Sequence, residues 1–128
     1  MPLTTADRLA IHELISLHGH LADGRRADQL DKLLTEDAVY DLDRYGMGQV
    51  RGLPALRALF EQAPGNQPIG HHVTNIIVTE QPDGSARARS KGLAVHADGT
   101  TGTVVYEDHI THTPDGWRIS HRTVFPSV

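Results

Sequence analysis

Three turn signatures constrain this chain most: Pro82-Asp83-Gly84, Asp98-Gly99 and Pro114-Asp115-Gly116. They divide its second half into segments of strand length, with His71 to Val78 followed by Ser85 to Val95, Thr101 to Thr113 and Trp117 to Val124. Asp-Gly between such segments is a strong local signal for a hairpin. The segments therefore predict four antiparallel strands in a meander, with one face that needs covering.

The first half supplies the cover. Thr4 and Asp7 stand at capping-box spacing, with Asp in place of the usual Glu. Ile11, Leu14, Ile15, His18, Leu21 and Ala22 then recur on one helical face, and Gly24 follows the last turn. A second, shorter helix is predicted from Ala27 to Leu34, broken by Thr35-Glu36-Asp37. Ala38 to Asp43 reads as a short alternating strand, and Gly46 to Val50 as a turn or a second short strand. Gly52-Leu53-Pro54 opens a third helix, with proline where the first turn tolerates it, and Pro64-Gly65 closes it. Helices gathered on one side of an antiparallel sheet make an α+β fold. If the sheet curves strongly over them, the result is a cone with one open mouth.

With 128 residues, the chain is expected to form one domain spanning 1–128. A net charge of −4 argues against a nucleic-acid platform. There is no cysteine, which removes disulfides, thiolate metal sites and cysteine catalysis. The N-terminus has no apolar leader and no apolar run is long enough to span a bilayer, so a cytoplasmic protein without membrane contact is expected.

Two polar residues sit where packing alone does not want them. Asp23 stands at the end of the first helix, where the macrodipole disfavours an acid. His71 enters the strand Gly70 to Val78. Strict alternation would put His71, Val73, Asn75 and Ile77 on one face of it, and His72, Thr74, Ile76 and Val78 on the other. Both faces carry apolar residues, so both are expected to be covered. The second face would be covered by another copy of the chain in a homodimer.

A buried His and Asn need partners or a cavity. Ala88, Ser90 and Gly92 alternate with Arg87, Arg89 and Lys91, so small side chains leave room on the inner face of that strand. Together with Ile11, Leu14, Ile15, Val73 and Ile77 they predict a largely apolar cavity. The nine histidines do not read as metal ligands. His18-x-His20 diverges on a helix, and His71-His72 and His109-x-x-His112 fall on opposite strand faces. No metal and no cofactor is expected.

In order along the chain, Ala22-Asp23-Gly24, Leu30 to Asp41, Gly52 to Leu56, His71 to Asn75 and Gly116-Trp117-Arg118-Ile119 resemble the NTF2-like superfamily. The resemblance is to its SnoaL-like polyketide cyclase and scytalone dehydratase-like branch. It implies three N-terminal helices on a strongly curved, mostly antiparallel sheet. It also implies an Asp–His dyad, here Asp23 and His71, with His71 lying four residues before Asn75 as in dehydrochlorinase-like relatives. The first helix has no tyrosine for a steroid-isomerase oxyanion hole, and the Arg26-Ala27-Asp28 triplet falls on a helix, unlike the strand pair of epoxide-hydrolase relatives.

The function expected is cofactor-independent acid/base chemistry on a small, largely apolar, polyketide-like molecule: dehydration, elimination, isomerisation or aldol-type cyclisation. His71 would be the base and Asp23 its orienter, with His18, Tyr40, Asn75 and His109 lining the site or polarising the substrate. The alternative is a non-catalytic small-molecule or protein-binding module on the same fold. It would not need Asp23 within reach of His71.

Overall fold

A computed structural model describes residues 2–62 and 68–127. Helix α1 spans Thr5–Asp23. Its capping box forms as the sequence predicts: Asp7 N donates to Thr4 Oγ1 at 3.0 Å and Thr4 N donates to Asp7 Oδ2 at 2.9 Å. Strand β1 (Leu34–Asp41) and short β2 (Gln49–Arg51) precede helix α2 (Leu53–Glu61). The meander is β3 (Pro68–Glu80), β4 (Ala86–His96), β5 (Thr101–Thr113) and β6 (Gly116–Pro126).

The six strands form one sheet in the order β2-β1-β6-β5-β4-β3. Only β1 and β6 pair in parallel. Helix α1 packs on edge strand β3 and also reaches β6, with β5 and β4 lying between those two, so the sheet curls over the helix.

The expectation of three N-terminal helices needs correcting. Among the described residues there are two α-helices, α1 and α2; Ala27–Lys32 is a 3-10 segment. It is capped by Leu33 N donating to Leu30 O, and the chain then enters β1 at Leu34, so Thr35-Glu36-Asp37 is strand rather than a breaker. Leu30, Leu33 and Leu34 are buried as expected, but three clustered apolar residues can be buried by a tight turn as well as by a helix. The predicted helix end at Pro64-Gly65 lies outside the described residues.

The closed core holds Ile11, Ile15, Leu30, Leu56, Ile110 and Ile119, all at 0% exposure. Each fully buried side chain of this size contributes about 1.5–3 kcal/mol of transfer free energy.

Two β-bulges alter which side chains face inward. On β3 the register with β4 shifts between Thr74 and Ile77, and Asn75 adopts φ 56°. The extra residue inverts the alternation beyond it. His71 and Val73 are half-buried, but so are Ile76 and Val78, whereas Ile77 is 66% exposed. Ile76 and Val78 pack on the core, which corrects their predicted outward placement. The outer face keeps Thr74 and takes Ile77 in place of Ile76 and Val78. On β6 the register with β5 shifts between the pairs His109–His121 and Ile110–Ile119, leaving Ser120 as the additional residue.

Candidate active site

Helix α1 serves two ends of the molecule. Its first turns close the core, and its last turns, His18 to Asp23, open onto a cavity of about 800 Å³. That volume suits a drug-sized organic ligand. The lining is mostly apolar: Leu59 and Phe60 from α2, Ile69 from β3, Leu93 from β4, and Val104 and Val124 from β5 and β6. Of the apolar and small residues expected to line it, only Gly92 does. Ile11, Leu14, Ile15 and Ala88 belong to the closed core instead, Val73 and Ser90 are absent from the lining, and Ile77 faces out.

Asp23 and His71 meet at the cavity wall. His71 Nδ1 lies 2.6 Å from Asp23 Oδ1, and His71 backbone N donates to Asp23 Oδ2 at 2.9 Å. Both carboxylate oxygens are engaged, which is what offsets an acid at a helix C-terminus. A carboxylate can only accept, so Nδ1 carries the proton and Nε2 is left as the basic nitrogen. Both side chains keep partial contact with solvent, at 22% exposure for His71 and 28% for Asp23.

Gly19 makes the contact possible. A Cβ there would stand 2.5 Å from the His71 carbonyl oxygen, so only glycine lets α1 lie this close to β3.

His18, one turn before Asp23, is buried at 6% exposure. Its ring meets Phe60 at 5.6 Å and His71 at 5.7 Å edge-on, and Tyr106 at 5.7 Å. Burial, helped by the neighbouring Arg122 and His71, pushes its pKa well below the usual imidazole value, so it stays neutral. Tyr40 also lines the cavity, and burial pushes its phenol well above the ordinary range, so it keeps its proton.

Two expected site residues stand elsewhere. Asn75 is spent on the bulge, where its exposed side chain accepts from Thr74 Oγ1 at 2.7 Å. His109 lies outside the cavity, in a small polar cleft shared with Arg87, Glu107 and His121, its Nε2 3.0 Å from Ser85 Oγ. His121 joins it there because the bulge at Ser120 turns Arg122 inward, and His72 is exposed. Among the described residues no group of three or more His, Asp or Glu side chains converges as a metal site. No helix among them is long and apolar enough to cross a membrane.

Sequence reasoning missed Asp108, Arg122 and Tyr106. Asp108 takes Arg122 in a two-pronged ion pair, Nε at 2.7 Å and Nη2 at 2.8 Å, with both side chains at 0% exposure. The guanidinium lies 4.1 Å over the Tyr106 ring and 5.9 Å from that of Tyr40. A Cβ at Gly92 would stand 2.5 Å from the Tyr106 ring, so the small residue on β4 exists to seat that tyrosine. Asp108 could have been found, since it alternates with Tyr106 and Ile110 on the inner face of β5.

A curled α+β sheet with an acid–imidazole pair at the wall of an apolar cavity defines the class, and the chain belongs to the SnoaL-like domain family, which matches residues 4–123. The Mycobacterium tuberculosis protein Rv2910c is 32% identical over 124 residues, covering 91% of this chain and 83% of that protein. A candidate aromatic ring hydroxylase of Novosphingobium aromaticivorans is 28% identical, with a TM-score of 0.80 over 99% of this chain and 93% of its own. A candidate scytalone dehydratase of the same species superposes with a TM-score of 0.79 at 20% identity, over 96% of this chain and 85% of that one, a likeness of fold.

Proposed function

We propose that the protein is a cofactor-independent acid/base catalyst acting on a small, largely apolar molecule of polyketide-like or aromatic character. The observation that carries this reading is the 2.6 Å contact between Asp23 and His71 at the cavity wall. A module that only binds has no need of an imidazole whose tautomer is fixed by a carboxylate. His71 Nε2 takes a proton from a carbon next to a carbonyl or a leaving group. The C–H electron pair either moves onto the carbonyl oxygen or expels a leaving group such as water from the neighbouring carbon. Dehydration, elimination, isomerisation and aldol-type cyclisation all begin with this step. Asp23 holds the imidazole and stabilises the imidazolium that forms. The SnoaL-like family and a neighbour named for scytalone dehydratase support a reaction of this class.

The step can be tested without knowing the natural substrate. Deuterium uptake from heavy water at the acidic C–H of 1-tetralone, followed by proton NMR, should be accelerated by the protein. His71→Ala and Asp23→Asn should each slow it by about 10² to 10⁴, the usual value of a positioned general base. The double variant should cost little more than the worse single one, because the two act as a unit. Exchange at the wild-type rate in either folded variant would sink the reading and leave the binding module in its place.

A further inference from the structure

We propose that the mouth of the cavity carries an apolar collar, formed by Tyr45, Met47 and Ile69, which binds a hydrocarbon tail of the substrate. The inference rests on reading the cavity as a substrate site with His71 as its base, and adds the shape of the molecule that suits it.

Among the described residues, six large apolar side chains are exposed, and four of them, Tyr45, Met47, Ile69 and Leu93, line the cavity. Exposed apolar side chains scattered singly need no explanation, whereas several gathered round one opening do. Leu9 and Ile77 are the two that stand apart from it. Met47 is 58% exposed, Ile69 60% and Tyr45 42%, so each leaves much of its surface in water at the opening.

The collar is assembled from the two edges of the sheet. Tyr45 and Met47 stand on the connection of residues 42–48, between β1 and edge strand β2, and Ile69 lies at the start of β3, the opposite edge. Only the curl of the sheet brings those two edges to one opening. The connection is firmly bonded. Leu42 N donates to Gly48 O at 2.8 Å, and Leu42 O accepts from Tyr45 N at 2.9 Å and from Met47 N at 3.2 Å. Asp43 N donates to Asp41 Oδ1 at 3.0 Å, and the Arg44 guanidinium lies 4.2 Å over the Phe125 ring. Tyr106, on the inner wall, has a phenol close enough to that of Tyr45 to feel its charge. Two apolar side chains are thus held at the opening before any ligand arrives, which lowers the ordering cost for a ligand that covers them.

The position of the base fixes where on the molecule the tail begins. Ile69 precedes His71 by two residues on β3. The Asp23–His71 pair is itself partly exposed, at 28% and 22%, so the proton is taken near the mouth. A substrate with its acidic carbon at His71 Nε2 therefore has one part inside, against Phe60 and Tyr106, and another part that crosses the collar. An alkyl chain there removes the exposed surface of Met47 and Ile69 from water, and a charged group would forgo that gain. The substrate class is therefore a ketone with a ring-sized body on one side of its enolisable carbon and a hydrocarbon tail on the other.

The test is a homologous series of 2-acetylnaphthalene, 2-butanoylnaphthalene and 2-hexanoylnaphthalene, with dissociation constants measured by titration calorimetry on the full chain. Wild-type protein should bind about threefold more tightly for each added methylene. Met47→Ser and Ile69→Ser should each reduce that gain, and the double variant should bring it below about 1.5-fold per methylene. All three should leave the binding of 2-acetylnaphthalene unchanged. Leu9→Ser, at a site equally exposed but away from the cavity, should leave the whole series unchanged. His71→Ala should keep the gain as well. Equal affinity across the series in the wild type, or an unchanged gain in the double variant, overturns the proposal even where proton exchange depends on His71. A change of oligomeric state in the double variant with its gain unchanged assigns the collar to a second copy of the chain and overturns it too. A gain that depends on the collar, in a protein whose proton exchange is indifferent to His71, upholds the collar and sinks the base.

Discussion

Protonating His18 would place a positive charge on an almost fully buried ring, beside the Arg122 guanidinium and the His71 ring. Its folded pKa therefore lies below its unfolded one. In that case the unfolded chain takes up a proton that the folded chain refuses, and stability falls as pH drops below the unfolded value of about 6.5. Above that value His18 costs nothing. We expect the melting temperature to decline between neutral pH and pH 5, and His18→Phe to flatten that decline. The slope removed should be at most about 1.4 kcal/mol per pH unit for one proton. Asp7, Asp41 and Asp83 have pKa values held below the carboxylate norm, chiefly by hydrogen bonds, so their contributions are lost only at much lower pH. A decline of equal slope in the variant would contradict this account.

The Asp108–Arg122 pair calls for a different expectation at the same scale. Neither side chain reaches solvent, so Asp108→Ala strands a buried guanidinium and should cost about 3–5 kcal/mol in denaturant unfolding. The neighbouring Arg89–Glu107 pair is exposed and 3.9 Å long, and Glu107→Ala should change stability by less than about 1 kcal/mol.

At the scale of elements, the site depends on how closely α1 lies on β3. Gly19→Ala forces the helix away from the His71 carbonyl and should cost about 1–3 kcal/mol. It should also lower the proton-exchange rate, because Asp23 rides on the same helix. A variant with wild-type exchange and stability would show that the helix can shift without disturbing the pair. The bulge at Asn75 makes its own prediction. Ile77→Lys places a charge on an already exposed position and should be neutral within about 0.5 kcal/mol. Ile76→Lys drives a charge against α1 and should cost on the order of 2–4 kcal/mol. The reverse ranking, measured by thermal unfolding, would mean that strict alternation holds through β3.

For the molecule as a whole, the curl of the sheet divides the interior into a packed end and an open end. The strands past the turns supply both. Ala86 and Ala88 on β4 pack in the core, while Gly92, Leu93 and Ala94 of the same strand line the cavity. Apolar spacing on α1 and β4 showed an inward face, but could not show where packing stops and space begins. Hence Ile11, Leu14 and Ile15 read as cavity wall and proved to be core.

What the sequence determined by itself is local. Asp-Gly turns, the Thr4–Asp7 box and a helical apolar stripe act over a few residues, and they set the hairpins, the first helix and the α+β class. The misplacement of Asp23 at a helix end was also legible, because a dipole penalty depends only on position in the helix. Tertiary structure decided the rest. A bulge is a mismatch between two strands, and neither strand records it alone. The bulges at Asn75 and Ser120 inverted the faces of β3 and β6, sent Ile77 and His121 outward, and brought Ile76 and Arg122 in. Arg122, Tyr40, His18 and Tyr106 come from four different elements, so they meet only once the sheet has closed over the helix.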